Sequence, residues 1–255
     1  MPNPLRPLAA VALLTLATSC SGGAPEQAAP PATARRIDAT KAGKVAGRAL
    51  VQGAVPANPP MKLQGDPYCE RAHPGGASFE HFVTKDGGLE NVFVYVKDGV
   101  GDYYFEVPSE PVKLDQQGCR YVPHVLGLRV QQPLEISNGD ETLHNVHAMG
   151  QANPPFNLSQ PMQKISNTRT FSAREVMVPF KCDVHNWMSA YVGVLDHPFF
   201  AVTHDGGKFE LEGLPAGTYT VEAWHEKLGT QAQSVTLGEK ESKELTFTFK
   251  AASAD

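Results

Sequence analysis

Apolar residues recur at every second position in short runs closed by glycine, proline or aspartate, the pattern of half-buried strands. Gly43-Lys-Val45-Ala-Gly47-Arg-Ala-Leu50-Val51 alternates in this way, and Asn91-Val-Phe-Val-Tyr-Val-Lys97 is a second strand ended by Asp98-Gly99. Between them, residues 56–88 are rich in turn formers and hold Cys69 and His73. Further strands are predicted at residues 112–114, 118–130, 133–137, 169–173 and 175–182. Alternation places Val176, Val178, Phe180 and Cys182 on one face. The pattern resumes at residues 197–203, 208–211, 218–224, 231–237 and 243–249. Residues 151–168 hold three prolines and show no clear period, so no element is predicted there. No long stretch keeps a helical period, and the expected class is all-β.

The N-terminal pattern is different. Arg6 precedes the apolar run Leu8-Ala-Ala-Val-Ala-Leu-Leu-Thr-Leu16, which is too short to span a bilayer. Leu16-Ala-Thr-Ser-Cys20 then closes a run of small residues on a cysteine and resembles a bacterial lipoprotein cleavage box, with Ala17 where leucine is usual. Residues 1–19 are read as the signal and Cys20 as the lipid site; plain secretory cleavage is the alternative. Residues 20–43, rich in Ala and Pro, read as a flexible tether. The expected location is the periplasm or the outer envelope face, with membrane attachment through the lipid. The 255-residue chain has 23 Gly, 21 Pro and a formal net charge of −5, which excludes the basic footprint of a nucleic-acid binder.

The chemistry concentrates in Phe180-Lys-Cys182-Asp-Val-His185-Asn-Trp-Met188. A thiol, an imidazole and a thioether spaced C-x2-H-x2-M are the soft and borderline donors of a one-electron copper centre. Alone, such a Cys is usually a small buried hydrophobe and such a Met a core filler. Together in one loop they point to metal, and the thioether favours copper over zinc. With only Cys182 in the loop, a dinuclear copper site is not expected. A second imidazole is needed, and His144, after the polar turn Asn138-Gly-Asp-Glu-Thr-Leu, is the candidate. His147 is its rival, although three residues along a regular strand it faces the opposite side.

His144-Asn145 about forty residues ahead of C-x2-H-x2-M resembles the cupredoxin family, with a loop spacing similar to that of amicyanin. The resemblance implies a Greek-key β-sandwich over residues 111–196 and one mononuclear copper held by His144, Cys182, His185 and Met188. It also implies that Asn145 hydrogen-bonds across to the Cys182 loop, and that the role is single-electron transfer with a redox protein partner. Ala173-Arg174 departs from the Pro-Gly turn common before the last strand pair. The run T-x-D-G-G-x-F-x-L-x-G-L-P-x-G-x-Y-x-V, from Thr203 to Val221, resembles the carboxypeptidase-regulatory-like, or transthyretin-like, β-sandwich. Gly43-x-Val45-x-Gly47 matches that family's opening strand, so residues 44–110 and 197–250 are expected to form one sandwich interrupted by the cupredoxin.

Cys69 and Cys119 remain. In an exported compartment they are expected to form a disulfide; a Cys2His2 metal site with His73 and His124, or two free thiols, are the alternatives. Trp187 packs beside the metal or meets a partner. Trp224 is read as core, and His225-Glu226 as a solvated rim. No acid–base pair is evident, so the chain is not expected to be an enzyme. Copper storage or delivery, and a structural envelope lipoprotein without a redox role, are the competing functions.

Overall fold

The alternating runs become strands in a computed structural model that describes residues 34–251. The signal segment and Cys20 lie outside the described residues. The first block comprises β1 (Gly43–Gln52), the one-turn helix α1 (Pro67–Ala72), β2 (Thr84–Lys85), β3 (Gly88–Leu89) and β4 (Phe93–Asp98). The second runs through β5 (Val112–Gln116), β6 (Tyr121–Val122), β7 (Val125–Arg129), β8 (Leu134–Asn138), β9 (His144–Ala148), β10 (Phe156–Gln160), β11 (Ser166–Arg169), β12 (Glu175–Lys181) and β13 (Ser189–Leu195). The third holds β14 (Phe200–Val202), β15 (Lys208–Leu214), β16 (Gly217–His225), β17 (Gly229–Leu237) and β18 (Ser242–Lys250). Among the described residues no helix is long and apolar enough to cross a membrane.

The first and third blocks share their sheets. β1 pairs antiparallel with β15 on one edge and parallel with β18 on the other, from Lys44↔Ser242 to Gln52↔Lys250. Gly47 permits this close register, since a Cβ there would lie 1.8 Å from the Leu245 carbonyl oxygen. The facing sheet runs β14-β4-β16-β17. Val45, Leu89, Val94, Phe209, Val221 and Phe247 fill the space between. The middle block makes its own two sheets, β10-β9-β12-β13-β7 and β11-β8-β5-β6. These enclose a separate core that includes Leu114, Ile136, Val146, Phe180 and Val192.

Several local expectations are corrected. Residues 56–82, assigned by sequence to the first sandwich, send Met61, Leu63 and Cys69 into the core of the middle block. The cause is α1: Asp66 caps it by accepting hydrogen bonds from Tyr68 N and Cys69 N at 2.8 and 3.0 Å, and Cys69 is bonded to Cys119. The tether ends earlier than residue 43. The Arg35 guanidinium lies 4.3 Å over the Tyr103 ring, and Ile37 packs on the first core. The apolar stripe of β12 is interrupted as well, because its register with β13 shifts between Glu175 and Val178, where Met177 has φ 60°. Val178, Phe180 and Cys182 share one core while Val176 and Met177 belong to another cluster. The stretch without a period contains β10 and β11.

The two sandwiches meet over glycine. Gly127 of β7 sits directly opposite Gly193 of β13. A Cβ on Gly127 would lie 2.5 Å from the Phe200 ring, and one on Gly193 would lie 2.4 Å from the Phe93 ring. The bare backbone lets both rings seat against the sheet. Beside this joint, His225-Glu226 is not a solvated rim. The Glu226 side chain is only 3% exposed, lying 2.7 Å from His124 Nε2 and 3.2 Å from His81 Nδ1, and it accepts a hydrogen bond from the Tyr191 hydroxyl at 3.3 Å. The end of β16 is covered because the middle block and the residue 56–82 segment both pack onto it.

Candidate metal centre

Three elements converge at one end of the middle block. β9 opens with His144, the end of β12 delivers Cys182, and the turn into β13 carries His185 and Met188. The turn is held by its own backbone: Met188 N donates to His185 O at 2.9 Å, and Cys182 N to Met188 O at 3.2 Å. Asn145 ties it from across the sheet. Its Oδ1 accepts from Asp183 N at 2.6 Å and Val184 N at 3.3 Å, and lies 3.3 Å from Cys182 Sγ.

Donor atoms of His144, Cys182 and His185 all lie within 4.8 Å of one another, and all three residues are buried. His144 Nδ1 is 2.9 Å from His185 Nδ1, and Cys182 Sγ is 3.9 Å from His185 Nδ1. Each imidazole is tied at its other nitrogen to a carboxylate: His144 Nε2 to Asp140 Oδ2 at 2.9 Å, His185 Nε2 to Asp66 Oδ2 at 3.1 Å. Carboxylates accept, so both Nε2 atoms carry hydrogen, and the two Nδ1 atoms face each other and the Cys182 sulfur. Nitrogens at that separation share a proton in metal-free protein, and a metal ion would take that proton's place. The donor set fits a thiophilic cation. Met188 is buried beside it in the same turn.

The electrostatics agree. Burial pushes the Cys182 thiol up, but hydrogen bonds to His144 and His185 outweigh it and bring the group down to about 6. Burial also opposes charge on His144, yet its hydrogen bonds to Asp140 and Cys182 raise it above the usual imidazole value. Asp140 is held below its ordinary value despite its burial, because His144 and the backbone N–H groups of Cys119 and Gly118 donate to it. Asp66 is depressed to about 2 against its burial by donors that include Thr142, Cys69 N and His185.

His147 lies outside this group. It is part-exposed and pairs with Asp183 at 3.0 Å. Trp187 is buried, with its ring 5.0 Å from the His185 ring and its Nε1 donating to Cys119 O at 3.1 Å. Cys69 and Cys119 are a disulfide, so no Cys2His2 site exists; His73 Nε2 instead meets Gly118 O at 2.7 Å. The two carboxylates were missed from the sequence. Asp140, four residues before His144 in the same turn, carried a local signal; Asp66 carried none.

No protein-family model matches the sequence, and no curated protein matches it. Among solved structures, a copper-containing nitrite reductase from Thermus scotoductus SA-01 overlaps 39% of this chain at 23% identity and a TM-score of 0.33. This chain spans only 25% of that enzyme's length. A copper(I) amicyanin variant overlaps 35% of this chain and 86% of its own, at 23% identity and TM-score 0.30. A purple cupredoxin from Nitrosopumilus maritimus overlaps 32% of this chain and 97% of its own, at 18% identity and TM-score 0.28.

Proposed function

We propose that the protein is a mononuclear type 1 copper protein that carries single electrons between redox partners. The observation that carries this reading is the pair of buried imidazoles aiming Nδ1 at each other, 2.9 Å apart, with the buried Cys182 sulfur 3.9 Å from His185 Nδ1. His144, His185 and Cys182 would supply the strong donors and Met188 the weak axial one. Bound copper would supply a one-electron couple. The chain's own contribution is rigidity: Asn145 and the backbone bonds of the turn hold the donors in one arrangement for both oxidation states. Metal-driven loss of the Cys182 proton needs little further help, because the thiol is already acidified.

Burial of the donors disfavours copper storage or delivery, which calls for a site that surrenders its ion readily. Leu143 and Val184, each next to a proposed ligand in the chain, are exposed apolar side chains suited to brief contact with a redox protein. In this reading the outer sandwich is a transthyretin-like carrier, Cys20 anchors the protein to the exported face of a membrane, and no substrate is turned over.

Copper(II) loading of the purified protein tests the proposal. One equivalent should give an intense thiolate-to-copper charge-transfer band, bleached by ascorbate and restored by air. Colourless protein in which Cys182 is uncoordinated would end the electron-carrier reading.

A further inference from the structure

The outer nitrogen of His185 does not meet solvent. It meets a segment that leaves the other sandwich, crosses to the middle block and is stapled there. Asp66 Oδ2 lies 3.1 Å from His185 Nε2, and Cys69 Sγ 3.9 Å from the same atom. The Cys69–Cys119 disulfide fixes α1 in place, and Trp187 closes the flank through its bond to Cys119 O.

We propose that Asp66 is a positioning residue for the metal centre, supplied from outside the middle block. Its carboxylate holds the His185 imidazole in the tautomer that leaves Nδ1 free for the metal. Its oxygens are divided between two tasks: Oδ1 caps α1 through Tyr68 N and Cys69 N, while Oδ2 takes the Thr142 hydroxyl at 2.7 Å and His185. A carboxylate on the far nitrogen of a ligating imidazole fixes ring orientation and raises ligand basicity. Its negative charge also favours the more oxidised metal ion. The segment would therefore both orient one ligand and close that ligand's edge to outside reductants. This rests on the copper reading above.

Asp66→Asn separates the two tasks. Asparagine is as good a cap as aspartate, so Oδ1 keeps its work. Its amide NH2 then replaces Oδ2 and points a donor at the His185 N–H. In metal-free protein, 15N NMR of the histidine side chains should show His185 as the Nε2–H tautomer in the wild type. In the variant it should shift towards Nδ1–H. Copper affinity should fall by about 10–100-fold, and the reduction potential of the loaded variant should rise. Thr142→Val, which removes the other partner of Oδ2, should leave the His185 tautomer and the potential unchanged. A folded Asp66→Asn protein with the wild-type tautomer, affinity and potential would overturn the inference. Since the tautomer measurement needs no metal, a colourless wild type whose His185 tautomer still depends on Asp66 would sink the copper reading and leave only the ring orientation by Asp66 standing, whereas a coloured wild type whose tautomer ignores Asp66 would sink the positioning role alone.

Discussion

Cys182 is the most specific residue of the site, and its neighbours define what it does. Cys182→Ser should abolish the charge-transfer colour, because a hydroxyl is neither soft nor readily ionised. In metal-free protein the ultraviolet absorption of the thiolate should titrate with a midpoint of about 6. The folded value lies below the ordinary thiol value of 9.0, so the thiolate stabilises the fold fully above that value. That contribution is lost as pH falls through the window from 9.0 to about 6. Urea titrations of metal-free protein should show this slope, and Cys182→Ser should remove it. On the proposed copper reading, Met188→Leu should keep the colour and raise the potential measured by redox titration, since the proposed axial donor is lost. His147→Ala should change neither, given its part-exposed pairing with Asp183. The donors that a single loop presents were legible because spacing along the chain is spacing in space. Asp66 was not, because nothing in sequence links position 66 to position 185.

At the scale of elements, alternation located most strands but not how they bend or what covers them. The β12 stripe was legible from Val178 to Cys182; Met177, at φ 60°, breaks the period that the sequence implied, and no local glycine announced the bulge. Residues 56–82 were misassigned because their turn-rich composition shows no preference between two cores; the disulfide makes that choice. Cys69→Ala/Cys119→Ala should destabilise by roughly 4 kcal/mol in denaturant titrations, as expected for a closed loop of 50 residues. Gly127 and Gly193, inside two of the strands, are the seats of Phe200 and Phe93. Gly193→Val should cost about 1–3 kcal/mol through overpacking against Phe93, measured as a drop in unfolding midpoint.

For the molecule as a whole, the pairing of the two chain ends was legible from the glycine-punctuated strands, whereas the joint between sandwiches was not. Glu226 shows why: a charged residue near a strand end reads as solvated until other segments bury it. Burial raises its pKa, but the bond to His124 and the charges of His124 and His81 outweigh burial and lower it from 4.5 to about 2. Tyr191 and Lys227 also face the carboxylate. A depressed carboxylate stabilises the fold above its unfolded value, so this contribution is full above pH 4.5 and lost as pH falls to about 2. Thermal melts of metal-free Glu226→Gln should show lower stability at neutral pH and a shallower acid limb than wild type.

The parallel pairing of β1 with β18 also dictates the order of events during synthesis. β1 is made early and finds its parallel partner only when Ser242–Lys250 has been added. The middle block needs no strand from beyond β13, so it closes while the C-terminal strands are still to come. A chain cut short anywhere before β18 leaves one edge of β1 bare, an adhesive template that aggregates or invites proteolysis. β18 thus conceals what the earlier strands leave open: only a chain that has reached Lys250 covers this edge of β1 along its whole length.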